Sequence, residues 1–169
     1  HLLIHAGGLP ECEPLLKKAQ WDPNKIATNE DLLDALYHQK PALKYTPGER
    51  SQYSNVGYIL LAEVVETASG KDFAEYLEKH IFQPAGMKHT GIYDRNEVDS
   101  ISHLANGYVF YPFTGRYERA VSLPEFSFSY VVSGFQGDGN VYSTPSDLFR
   151  FCQALKKGIV LNESSFETA

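Results

Sequence analysis

The chain has 169 residues, of which 43% are hydrophobic and 13% aromatic, enough for one domain with a real core. Fifteen basic against twenty-one acidic residues give a net charge of -6, without a basic cluster, so nucleic acid is not expected as a partner. No apolar run has the length needed to cross a bilayer as a helix.

The first residues, His1-Leu2-Leu3-Ile4, form a short apolar segment stopped at Gly7-Gly8-Leu9-Pro10. His1 and His5 stand four apart, a spacing that can pair metal ligands on a helix. The glycines and proline leave too little helix, and no glutamate sits where a zinc protease needs one, so no metal and no other cofactor is expected. A short helix is expected from Glu11 to Gln20, then a turn at Trp21-Asp22-Pro23-Asn24. Thr28 or Asn29 caps a helix to about His38, with Leu32, Leu33, Ala35, Leu36 and Tyr37 as its apolar face, and Lys40-Pro41 ends it. Cys12 and Cys152 read as packed thiols rather than a disulfide.

From Tyr45 to Gly70 a Pro47-Gly48 turn leads through a polar loop into a long apolar helix. Tyr53, Ser54 and Asn55 stand at its start, Ser54 or Asn55 as cap, and Gly70 is the stop. A loop on so rigid a mount suits a catalytic group. Asp72 then opens an amphipathic helix through Phe73, Tyr76, Leu77 and Ile81, closed by Pro84-Ala85-Gly86, and Met87 to Gly91 is a loop. Tyr108 to Tyr111, a turn over residues 112–115, and Tyr117 to Val121 read as a hairpin. The aromatic stretch Leu123 to Val132 has no clear period, and the glycines at 134, 137 and 139 make a turning loop. Thr144-Pro145-Ser146-Asp147 starts a helix that stops at Gly158, and a further helix begins near Asn162.

Four blocks in this order carry a family resemblance: HLLIHAGGLP, PGERSQYSNVGYILLAEVVETASG, IFQPAGMKHTGIYD and DGNVYSTPSDLFRFCQAL. Together they resemble the serine β-lactamase superfamily of class C β-lactamases, low-molecular-weight penicillin-binding proteins, and related esterases and D-amino-acid peptidases. Ala6-Gly7 stands where the family often has Thr-Ser, and Asn140 where a glycine is common, which bears on substrate preference. The resemblance implies an exported bacterial serine hydrolase acting through an acyl-enzyme on β-lactams, D-amino-acid peptides or small esters.

A serine hydroxyl is a poor nucleophile near neutral pH, and this family activates it with a Ser-x-x-Lys turn of helix. A second element brings Tyr or Ser with Asn, and a third, on a strand, brings Lys or His followed one residue later by Gly. By that resemblance Tyr53 is the proton shuttle and Asn55 holds substrate carbonyl and lysine. A free tyrosine titrates near 10, so acting as a base at neutrality requires on the order of 4 kcal/mol of phenolate stabilisation. No serine here has lysine three residues later, so the nucleophile is absent from this chain. His5-Ala6-Gly7 and His89-Thr90-Gly91 mimic the third element, but neither lies in the segment matching the family's catalytic strand. In the bland reading Tyr53 is a half-buried packing residue and Asn55 a cap; Tyr58, His89, Asp138 and Ser143 are packing or turn residues.

The expected fold is mainly α with a small antiparallel hairpin: the central, single-domain helical part of a β-lactamase-like α/β fold, lacking the sheet-forming segments at both ends. The chain alone is expected to be inactive. The alternative is a non-catalytic module that binds peptides or a protein partner. Without the sheet, an apolar face is expected to be exposed, and the isolated chain to self-associate through it. Sedimentation velocity over a concentration series checks this, and a clean monomer throughout counts against it.

Overall fold

The computed structural model describes residues 1–168. In chain order its elements are α1 (Cys12–Lys18), α2 (Asn29–Gln39), α3 (Asn55–Ser69), α4 (Phe73–Leu77), a π-helical turn (Glu78–Phe82), α5 (Gln83–Ala85) and β1 (Gly91–Ile92). They continue with β2 (Tyr108–Tyr111), β3 (Arg116–Arg119), α6 (Phe128–Val131), β4 (Val141–Tyr142), α7 (Pro145–Lys156) and α8 (Glu163–Thr168). The chain divides into two compact units, one of residues 1–61 with 93–140, the other of residues 62–92 with the stretch from 141 onward.

The first unit closes around α1, α2 and the start of α3, where Leu16, Leu32, Val56, Ile59 and Phe135 are all buried in one cluster. α2 begins as its residues dictate: Thr28 Oγ1 accepts the Asp31 N–H, and Asp31 Oδ2 accepts the Thr28 N–H at 2.8 Å. This reciprocal box satisfies two donors that a helix start leaves without partners. β2 and β3 pair antiparallel from Tyr108 opposite Arg119 to Tyr111 opposite Arg116. The second strand stops at Arg119, short of Val121, because Ala120–Ser122 turns into a 3-10 helix and brings Leu123 into cover. The aperiodic stretch after it consists of single helical turns, Pro124–Phe126 and α6, too short to show a period.

In the second unit the amphipathic helix closes at Ala85 with Gly86 as its cap, within the stop expected at Pro84-Ala85-Gly86, but it widens just before the proline. The Gln83 N–H reaches the Glu78 carbonyl, five residues back. Proline clashes with the carbonyl four residues earlier, and an expanded turn relieves that clash while letting the chain reach Gly86 in the left-handed region. β1 and β4 pair antiparallel over two residues each, too few to signal in sequence. Leu77, Ile81, Met87, Leu148, Phe151 and Leu161 help line an apolar cavity of about 450 Å³.

Asp147 organises this unit. Its side chain is 0% exposed, and Oδ2 accepts the His89 N–H at 2.6 Å and Thr90 Oγ1 at 3.0 Å while Oδ1 accepts from Arg150 Nη1. Burial pushes its carboxyl up, but the His89 amide, the Thr90 hydroxyl and the Arg150 guanidinium outweigh that and hold it below the usual range. A lowered folded-state value contributes stability that is present above the ordinary value near 3.8 and is lost as pH falls through the lowered one. Asp147→Ala, which leaves the buried Thr90 hydroxyl and the His89 amide short of an acceptor, is expected to cost about 2 kcal/mol or more at pH 7. Denaturant melts should show that difference shrinking below about pH 4, as the wild-type carboxylate takes up its proton. An unchanged difference down to pH 2 would contradict this account.

Candidate functional site

α3 enters the core at once. Val56 and Ile59 are 0% exposed, whereas Tyr53, just ahead of the helix, is 64% exposed. Of the two caps open in the sequence, Ser54 holds the position: its Oγ accepts the Gly57 N–H at 3.4 Å, and Asn55 is the first helical residue. Tyr53 Oη donates to Asn55 Oδ1 at 3.0 Å. The two residues that the sequence singled out are therefore in direct contact, one exposed and the other half-buried.

The loop before them is shaped by a tight turn. The Glu49 N–H donates to the Thr46 carbonyl at 3.0 Å, and Gly48 has φ 88°, as a type II turn with proline at its second position requires. The first eight residues run beside this loop and exchange backbone hydrogen bonds with it: Gly48 N–H to Ala6 O at 2.9 Å, Lys44 N–H to Gly8 O at 2.7 Å and Gln52 N–H to His5 O at 2.9 Å. Ser51 Oγ donates to Ile4 O at 2.8 Å, and Tyr58 Oη to Leu3 O at 3.1 Å. Tyr58 thus spends its hydroxyl on backbone, as the bland reading has it.

His5 lies inside this arrangement. Its Nδ1 accepts the Ser54 N–H at 3.3 Å, and its ring centroid is 4.6 Å from that of Tyr53 and 5.1 Å from that of Tyr58. In the sequence His5 stood out as half of a rejected metal pair and as part of an H-x-G mimic, with no contact to Tyr53 foreseen. The signal was thin, because the contact depends on a left-handed backbone at His5, φ 55°, which histidine adopts more readily than most residues.

The remaining candidates go elsewhere. His89 donates its amide to Asp147, and Ser143 Oγ lies 2.8 Å from Thr90 Oγ1, both in the second unit. Burial pushes the Asp138 carboxyl up, and a hydrogen bond from its own backbone N–H opposes this. Burial, with Asp138 adding to it, pushes the Cys12 thiol up as well, so Cys12 is a poor nucleophile. Cys152 is exposed. Among the described residues no group of three or more His, Cys, Asp and Glu side chains is placed to hold a metal ion.

Known proteins share both sequence and architecture. Residues 1–169 match the family model described as Beta-lactamase. Penicillin-binding protein 4* of Bacillus subtilis (strain 168) is 41% identical over 170 residues, covering 100% of this chain and 38% of that protein. Among solved structures, a penicillin binding protein from Bacillus halodurans superposes with a TM-score of 0.75 at 29% identity, over 99% of this chain and 48% of that one. The D-amino acid amidase from Ochrobactrum anthropi, complexed with L-phenylalanine amide, gives a TM-score of 0.71 at 26% identity, over 98% of this chain and 44% of that one. The chain thus spans 38% to 48% of the length of these relatives.

The closest approach beneath the Tyr53 loop is at Gly8, φ 70°, where an added Cβ would stand 2.4 Å from the Tyr45 carbonyl oxygen. Gly8→Ala is expected to destabilise by roughly 2–3 kcal/mol, from the overlap and the left-handed backbone together. Thermal unfolding measures it, and a loss under about 0.5 kcal/mol, the range of an unconstrained surface site, would refute the close approach.

Proposed function

This chain belongs to the β-lactamase family, with the architecture of its helical subdomain, and from that premise we propose that it supplies the tyrosine and asparagine of a serine hydrolase site. The observation that carries the reading is the Tyr53 Oη to Asn55 Oδ1 hydrogen bond at 3.0 Å, at the start of a helix whose first turns are buried. In this role Tyr53 relays a proton to and from the nucleophile or leaving group, and the Asn55 amide nitrogen donates to the substrate carbonyl. The serine nucleophile and its lysine come from outside these residues, since no Ser-x-x-Lys occurs among them. The site is then one part of a single larger domain. The acyl donors proposed are β-lactams, D-amino-acid peptides or small esters, in keeping with relatives whose names include penicillin-binding proteins and a D-amino acid amidase. Exposed apolar side chains such as Leu3 and Ile4 support self-association of the chain on its own.

The test is Tyr53→Phe in the intact protein that carries this chain, assayed with a chromogenic cephalosporin and a p-nitrophenyl ester. kcat is expected to fall by about 10²–10⁴ with KM little changed, the loss typical of a removed proton relay. The 169-residue chain alone is expected to turn over neither substrate. Undiminished kcat in Tyr53→Phe would return the tyrosine to a packing role and favour a binding module.

A further inference from the structure

We propose that His5 is the positioning residue of Tyr53, holding it through the backbone on both sides; this rests on the reading of Tyr53 as the proton relay. The residues flanking Tyr53 are tied to this one histidine, nearly fifty positions away. Gln52 donates its N–H to the His5 carbonyl at 2.9 Å, and Ser54 donates its N–H to His5 Nδ1 at 3.3 Å. Between those two anchors the Tyr53 ring lies against the imidazole, with a tilt of 37° between the planes. Tyr58 also packs against the same ring. His5 is itself fixed, because its carbonyl also accepts Tyr45 Oη at 3.2 Å.

Such a hold matters because Tyr53 is 64% exposed and has little packing of its own. Misplacing a catalytic group by about 1 Å costs on the order of 10²-fold in rate. The geometry also fixes the ring's chemistry. A nitrogen that accepts an N–H presents its lone pair there, so the neutral imidazole carries its hydrogen on Nε2 and Nδ1 is not free to serve as a base. Nδ1 is spent on the Ser54 amide, so His5 acts through the loop that carries Tyr53.

Two variants separate the acceptor from the ring. His5→Gly tolerates the left-handed backbone and keeps the carbonyl for Gln52, but removes Nδ1. His5→Asn also tolerates that backbone, and its Oδ1 restores an acceptor near the position of Nδ1. In the intact protein, amide-resolved hydrogen exchange should show the Ser54 N–H exchanging about tenfold faster in His5→Gly. The Gly57 N–H, held by Ser54 Oγ, should keep its rate. With a p-nitrophenyl ester, kcat should fall roughly 10- to 100-fold while KM stays within about threefold, and His5→Asn should recover most of both losses.

Wild-type exchange at Ser54 in His5→Gly would overturn the proposal, as would a His5→Asn no better than His5→Gly. If core amides quicken in His5→Gly, that variant has lost its fold, and His5→Asn decides by whether its Ser54 exchange and kcat stay near wild type. Failure of the functional reading is seen separately, as undiminished kcat in Tyr53→Phe. In that event the Ser54 exchange result alone decides whether His5 sets this loop.

Discussion

The start of α3 is the constraint on which the site depends. Val56 and Ile59 are fully buried, so the helix can begin only where the chain reaches the core. A helix start carries N–H groups without intrahelical partners, and one buried near its first turn needs acceptors close at hand. Ser54 supplies one, and Tyr53, just ahead of it, stays outside the core. Tyr53 is left outside, mounted on a residue that cannot move without disturbing the core. Exposure and rigidity, which usually oppose each other, coincide at this position.

The second unit solves a related problem with a charge. Asp147 lies in the first turn of α7, where a carboxylate is favoured by the helix end, and from there it gathers the His89 amide and the Thr90 hydroxyl. One buried carboxylate thereby fixes the loop between α5 and β1. Here the polar groups are spent on holding the chain together. The groups around Tyr53 hold the backbone instead and leave its phenol exposed beside the Asn55 amide.

Much of this was legible in the sequence because the signals are local. Thr28 or Asn29 before the second helix, Thr144 before Pro145, and Gly70 after an apolar run each state a helix boundary through the chemistry of one turn. Tyr53 and Asn55 were singled out by the resemblance of their block, and the hydrogen bond between them, across two positions at a helix start, came only from the structure. What stayed hidden depends on distant residues. The two-residue strands β1 and β4 have no periodicity to read. The widened turn before Pro84 follows from a clash that proline resolves in more than one way. The contact of His5 with Tyr53 requires two backbone segments and a left-handed residue to agree, and no spacing encodes that.

The direction of the Tyr53 hydrogen bond bears on what the proposed site can do. With the phenol donating to Asn55 Oδ1, the exposed Tyr53 oxygen keeps its lone pairs to accept a hydrogen bond from an incoming hydroxyl. The Asn55 amide nitrogen remains a donor for a carbonyl. To take a proton outright, the phenol must first give up its own, and Asn55 then meets the phenolate with its oxygen, an unfavourable pairing unless the amide turns over. A cation brought beside Tyr53 would favour both changes at once, stabilising the phenolate and making the turned amide a donor to it. Under the proposed reading, the pair is held in the arrangement that precedes proton transfer, and the ammonium group expected from a Ser-x-x-Lys element would complete it. On that proposal the labour is divided for a chemical reason: the helical subdomain fixes where the proton relay stands, and the element bearing the nucleophile determines when it becomes a base.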